Sequence, residues 1–311
     1  MAFPEPEPGY APGEMRQLLV FGVLGTSLAL AGATGSARTP TSLLTYSAGP
    51  HGGLCLMRPD GSRRVRLLAG EARAPSWSPD GRFVAFVRGG KIVVANARGR
   101  IMRRFSSLGA DPAWSPDGSR IAYAAGAPAS RIVVASRSGR TLTSISTGRN
   151  VASGPTWSPD SRRLAYADRL EIDRPSQAGS NRVFVVNADG SGRRLLVGSA
   201  AEPAWSPDGS RIAYVAYGGP LSDTGQIAVI GVEGADARMV TSGHSSETGP
   251  AWSPSGRVIA FARVVDSSTA VVAIRPDGTR ERILIRSRSG ASDPTWRRPF
   301  ALPKARRAPC S

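Results

Sequence analysis

Few residues in this chain have the type and spacing for chemistry. There are two histidines, His51 and His244, and neither sits in a motif that would make it a general base or a metal ligand. No Gly-x-Ser-x-Gly segment offers a nucleophile on a sharp turn. Asp80, Asp117, Asp160 and Asp208 recur at equivalent places. A calcium ion, however, needs about six or more oxygens converging on one point, and these carboxylates stand one per repeat, so they read as turn residues. Trp77, Trp114, Trp157, Trp205, Trp252 and Trp296 could stack on sugars, but their registration with a repeat assigns them to packing. The expectation is no catalytic centre, no metal and no cofactor.

The elements that carry these residues are repetitive. Pro75-Ser76-Trp77-Ser78-Pro79-Asp80-Gly81 leads into Phe83-Val84-Ala85-Phe86, and similar segments surround the other tryptophans at spacings of 37, 43, 48, 47 and 44 residues. Ser-Pro-Asp-Gly is turn chemistry: Ser caps, Pro pre-sets φ, and Gly accepts positive φ. Ser161 replaces Gly in one copy and Ser255 replaces Asp in another, so those turns should be strained or re-bonded. After each copy comes a β-branched run such as Ile92-Val93-Val94, then a Gly-containing turn and a basic strand. Each unit therefore has a Trp strand a and three further strands b, c and d. Periods of about 40–50 residues with four strands each are propeller periods.

The two chain ends complement each other. Leu43-Leu44-Thr45-Tyr46, Leu54-Cys55-Leu56-Met57 and Val65-Arg66-Leu67-Leu68 match strands b, c and d without a Trp strand, while Pro294-Thr295-Trp296 is a Trp strand without successors. The expected fold is all-β: a six-bladed β-propeller with four-stranded blades, its ring closed by the N-terminal strands and the C-terminal Trp strand. Cys55 would lie in strand c of the shared blade and Cys310 follows its Trp strand, so a disulfide between them would staple the ring where the termini meet. The other reading is a buried Cys55 and a free thiol at Cys310.

These segments resemble the WD-repeat-like propeller repeat of the TolB family over residues 42–296. The resemblance implies the propeller fold and a tendency to bind proteins. The family's namesake has an additional N-terminal domain, for which the stretch from Arg38 to Ser42 leaves no space. The repeat also occurs in propeller domains of some serine peptidases.

Leu18 to Ala33 is an apolar run behind Arg16, followed by small residues, as in a secretory signal peptide; an uncleaved membrane anchor is the alternative. Residues 1–14 hold Glu5, Glu7 and Glu14 and no basic residue, so Met15 is expected to be the true start, with the signal at 15–37, the propeller at 38–299 and a basic tail at 300–311. The chain is expected outside the cytoplasm, in the periplasm, envelope or medium.

Net charge is +17, almost all from Arg, with Lys only at Lys91 and Lys304. Arg82, Arg120, Arg162, Arg211 and Arg257 begin successive b strands, and Arg63, Arg140, Arg193 and Arg280 follow c–d turns, which should make a basic ring partly paired with turn Asp residues. An anionic envelope polymer or lipid would match this charge; export argues against nucleic acid. The b–c and d–a connections vary in length, and varied loops on a rigid scaffold carry recognition. Asp168, Arg169, Glu171, Asp173, Arg174, Tyr217, Asp223 and His244 are the expected binding residues there. The reading is a monomeric, non-enzymatic protein or peptide interaction module. The alternatives are a small-molecule or carbohydrate site in the central channel, with lyase or hydrolase activity, and polyanion binding.

Overall fold

The computed structural model describes residues 42–126, 129–148, 150–169, 181–218, 224–298 and 310. The expected start site, signal segment, most of the tail, and Glu171, Asp173, Arg174 and Asp223 lie outside them. Residues 39–311 form a compact unit of their own.

The described chain is all-β apart from one helical turn at Gly49–Gly52. Its strands are β1 (Leu43–Ser47), β2 (Leu54–Met57), β3 (Val65–Leu68), β4 (Arg73–Trp77), β5 (Phe83–Arg88), β6 (Lys91–Asn96), β7 (Ile101–Trp114), β8 (Arg120–Gly126), β9 (Ala129–Ser136) and β10 (Thr141–Ser146). Then come β11 (Val151–Trp157), β12 (Arg163–Arg169), β13 (Asn181–Asn187), β14 (Arg194–Gly198), β15 (Ala200–Trp205), β16 (Arg211–Tyr217), β17 (Gly225–Gly231) and β18 (Arg238–Met239). The last are β19 (Glu247–Trp252), β20 (Ile259–Val265), β21 (Ser268–Ile274), β22 (Arg282–Ser287) and β23 (Ser292–Arg297). All pairings are antiparallel between neighbours. Four sheets have four strands each: β11 to β14, β15 to β18, β19 to β22, and β23-β1-β2-β3.

The expectation of six separate four-stranded sheets is corrected here. Strands β4 to β10 form one seven-stranded sheet. Its middle strand β7 pairs with β6 through Leu108 and with β8 from Gly109 onward. The physical reason is length. The spacing from Trp77 to Trp114, 37 residues, is the shortest in the chain, and no residues are left for a loop between a d strand and the next a strand.

Alternation along the strands sends side chains to opposite faces, and each face packs against a neighbouring group of strands. Val84 and Phe86 join Leu54, Leu56 and Trp77, whereas Ala85 and Val87 join Trp114, Ile121 and Tyr123. The same packing joins the first strands to the last sheet, through Leu44, Tyr46 and Cys55 against Val271, Ala273 and Ile285. The Trp-bearing strands are innermost, and β4 touches β7, β7 touches β11, β11 touches β15, β15 touches β19, β19 touches β23, and β23 touches β4.

Tryptophan indoles tie neighbouring strand groups. Trp157, Trp252 and Trp296 donate from Nε1 to the carbonyls of Ala113 (3.0 Å), Ala204 (3.1 Å) and Ala251 (3.0 Å), and Trp77 donates to Thr45 Oγ1 (2.7 Å). In the turns, Ser78, Ser158 and Ser206 hydroxyls donate to Asp80, Asp160 and Asp208 two residues on. The altered turns are re-bonded. Ser161 takes the Gly conformation (φ 60°) and its Oγ accepts from Asp117 N–H at 3.1 Å, while Ser255 Oγ meets Ser253 Oγ at 3.2 Å.

Candidate functional site

The site grows from an irregularity shared by every innermost strand. Just before the Pro of each Pro-x-Trp segment the ladder slips, as between Ala110 and Ala113 or Ala201 and Ala204. Proline has no N–H to give a ladder, so the slip is tolerated there. The preceding residue adopts left-handed φ in all copies: Ala74 (48°), Asp111 (50°), Gly154 (54°), Glu202 (51°), Gly249 (63°) and Asp293 (50°). Glycine accepts this freely, but for Ala74, Asp111, Glu202 and Asp293 it is backbone strain, of the order of 1 kcal/mol or more each.

Small and acidic residues thus alternate round the inner strands, and each acid reaches to the next small residue. Asp293 Oδ2 accepts from Ala74 N–H (3.2 Å), Asp111 Oδ2 from Gly154 N–H (3.0 Å), and Glu202 Oε2 from Gly249 N–H. All six residues line one cavity of about 370 Å³, together with prolines and with Trp205 and Trp252. The three acidic residues are partly buried there. Burial pushes Glu202 up to about 7 against the hydrogen bond from Gly249, with further upward pressure from Asp293 and Asp111. Burial also raises Asp111, opposed by Gly154 N–H and reinforced by Asp293. Their mutual repulsion means that the cavity favours a positive charge or a bound proton. Among the described residues, no group of His, Cys, Asp and Glu has the arrangement to hold a metal ion.

The opposite mouth is of another kind. A second cavity, of about 230 Å³, is lined by Trp77, Trp114, Trp205, Trp252 and Trp296, by turn prolines and by Arg298. Around it arginines lie on tryptophans of the neighbouring strand group. Arg297, fully buried, sits 4.6 Å over the Trp77 ring and donates from Nε (3.0 Å) and Nη2 (2.8 Å) to Gly81 O. Arg120 sits 4.6 Å over Trp157 and donates to Ser161 O at 2.6 Å. Two arginines from different places in the repeat thereby make the same contact.

The expected binding residues are only partly where the sequence put them. Asp168 is a correction: it is fully buried at the end of β12, 3.4 Å from Arg182 Nη2 and 2.6 Å from Arg193 Nη2. A buried carboxylate must be paired, so it is not a loop contact. Arg193 leaves the expected basic ring for the same reason. It runs over Phe184, 3.6 Å from the ring, and donates to Tyr166 Oη and Asp168. Arg169 and His244 are exposed, as is His51, and Tyr217 is half-buried at the end of β16. The basic ring and turn aspartates pair little: Arg82 and Asp80 stand 4.0 Å apart, Arg120 and Asp117 3.4 Å. Cys310 meets Cys55, their Cα atoms 6.2 Å apart, within the usual range for a bridged pair. The channel acids Asp111, Glu202 and Asp293 were missed. Their signal is the alternation Ala, Asp, Gly, Glu, Gly, Asp in the column before the repeat's proline.

Sheets of antiparallel strands packed face to face around innermost strands that line a cavity define an all-β propeller. The family model of the TolB beta propeller domain matches residues 32–300, and the chain belongs to that family. The fold is similar to that of TolB from Acinetobacter baumannii, with a TM-score of 0.67 and 21% identity over 82% of this chain and 66% of that one. It is also similar to a chain of the nidogen/laminin complex, with a TM-score of 0.64 and 14% identity over 82% of this chain and 98% of that one. At these identities the likeness is one of fold, and the chain spans slightly less than two thirds of that TolB. No curated protein matches the chain by sequence.

Proposed function

We propose that this chain is an exported, non-enzymatic protein or peptide interaction module, a closed six-bladed ring whose carboxylate-lined mouth receives a basic group of its partner. The carrying observation is the alternating set of Asp111, Glu202 and Asp293 around one cavity, each held to a neighbouring N–H. Carboxylates gathered in one cavity, where burial and the charges of Asp293 and Asp111 raise the proton affinity of Glu202, gain from an arginine, lysine or terminal ammonium, which neutralises what water there cannot. Six blades follow if β7 is counted as the d strand of one and the a strand of the next, and the cyclic contacts of the inner strands support closure. Cys55 and Cys310 would then bridge the shared blade. The fold's occurrence in the nidogen/laminin complex supports a protein partner in general.

The experiment is calorimetric titration of residues 39–311 with short peptides carrying one arginine or lysine, beside the same peptides with citrulline or acetyl-lysine. The basic peptides should bind at least tenfold tighter, and the D111N/E202Q/D293N variant should lose that preference. Equal binding of charged and neutral peptides would sink the reading.

A further inference from the structure

The face opposite the carboxylates carries a second, independent feature. Antiparallel order puts all a–b and c–d turns at one end of the strands. Contacts between neighbouring strand groups keep those ends together: Arg297 donates to Gly81 O, Arg120 to Ser161 O, Arg238 to Pro276 O and Arg282 to Pro59 O. The a–b turns are short and alike, so this end is flat compared with the other.

Four of its acids are spent internally, and Asp236 is exposed. Asp80, Asp160, Asp208 and Asp277 each accept from a backbone N–H two residues on and from a hydroxyl of their own turn. These bonds hold the four carboxyls below their usual range, against the burial that opposes them, strongest at Asp80, so they stay ionised while engaged with the turn. The arginines beside them are left over. Arg162, Arg211 and Arg257 on a–b turns, and Arg63, Arg140 and Arg280 on c–d turns, are exposed. None of the six makes a side-chain hydrogen bond or ion pair among the described residues. The channel acids Asp111, Glu202 and Asp293 lie at the other end.

We infer that the turn face docks on an anionic lipid surface, with the acid-lined mouth directed away from it. The arrangement selects this occupant. A linear polyanion needs a stripe or groove, whereas these guanidinium groups are spread around a mouth on one flat face, matching a plane of phosphates that presents the same charge in every direction. Arginine is the residue suited to phosphate oxygens, which it binds through paired N–H groups. The inference is independent of any ligand in the channel.

The test is co-sedimentation of residues 39–311 with phosphatidylcholine vesicles containing or lacking phosphatidylglycerol, at low and at about 0.15 M salt, where the Debye length is about 8 Å. Two variants with the same change of net charge are compared: R162E/R211E/R257E on the turn face, and K91E/R131E/R288E at exposed positions on the opposite face. Circular dichroism melting confirms that both are folded. Binding should require phosphatidylglycerol, fall at least tenfold in the turn-face variant and change less than threefold in the other. Equal loss in both variants would reduce the effect to net charge and overturn the inference. So would binding without phosphatidylglycerol, no binding to either vesicle, or displacement of protein from vesicles by soluble polyglutamate of equal total charge.

Discussion

The two mouths of the cavity are built from the same repeated strand yet are chemically opposite. At one, strained residues before proline hold carboxylates that accept from backbone N–H groups, and at Asp293 also from the Ser292 hydroxyl, and that lie in one another's fields. At the other, arginines close over tryptophans and donate to turn carbonyls. The first gains little stability from its polar groups and keeps electrostatic free energy available to a ligand. At the second, Arg297 and Arg120 are engaged within the protein, while Arg162, Arg211 and Arg257 on the turns beside them stay exposed. The same repeated strand thus carries arginine–tryptophan packing between neighbouring strand groups near one end and carboxylates near the other.

The comparison can be broken most directly at Arg297. Arg297→Met should cost about 3 kcal/mol in chemical denaturation, because the buried carbonyl of Gly81 loses both donors. Arg120→Met, at a more exposed copy of the same contact, should cost about 1 kcal/mol. Equal costs would show that burial does not separate the two.

A turn carboxylate comes next. Asp160→Ala should lose about 1 kcal/mol at pH 7, since Ser158 Oγ and Arg162 N–H lose their acceptor. Its lowered pKa makes this contribution fully present above the ordinary carboxylate value and lost as pH falls from there through the lower folded-state value.

Glu202 should behave in the opposite sense. Glu202 has its pKa raised from 4.5 to about 7, so the folded state binds more protons than the unfolded chain between those values. Stability therefore falls as pH rises through that window. Melting temperatures of the parent should decline from about pH 5 to pH 7.5, and Glu202→Gln should flatten the decline. A decline that persists unchanged in the variant would remove Glu202 as its source.

The smallest effect sharpens the turn side. Ser255→Asp restores the common turn residue and should add about 0.5 kcal/mol by giving Ser253 Oγ and Arg257 N–H a charged acceptor. No gain would mean that the Ser253–Ser255 contact already serves as well.

Turns, hairpins and the alternation that separates Val84 and Phe86 from Ala85 and Val87 were legible in the sequence, because each is set by residues within about ten positions of one another. The complementary chain ends predicted the pairing of β23 with β1, which is observed. The merging of β4 to β10 into one sheet had a trace only in the short spacing between Trp77 and Trp114. The burial of Asp168 had none, since its partner Arg193 is 25 residues away, beyond the intervening strand β13.

What the sequence determined by itself, then, was local: which residues form strands, which turns join them, and that the repeats stack. Tertiary structure alone decided that Asp111, Glu202 and Asp293 face one another and that Arg297 lies on Trp77. Residues of different repeats converge only when the inner strands are brought around a common axis. The proton affinity of Glu202 likewise depends on the water excluded and the charges gathered there, neither of which is a property of its neighbours in sequence.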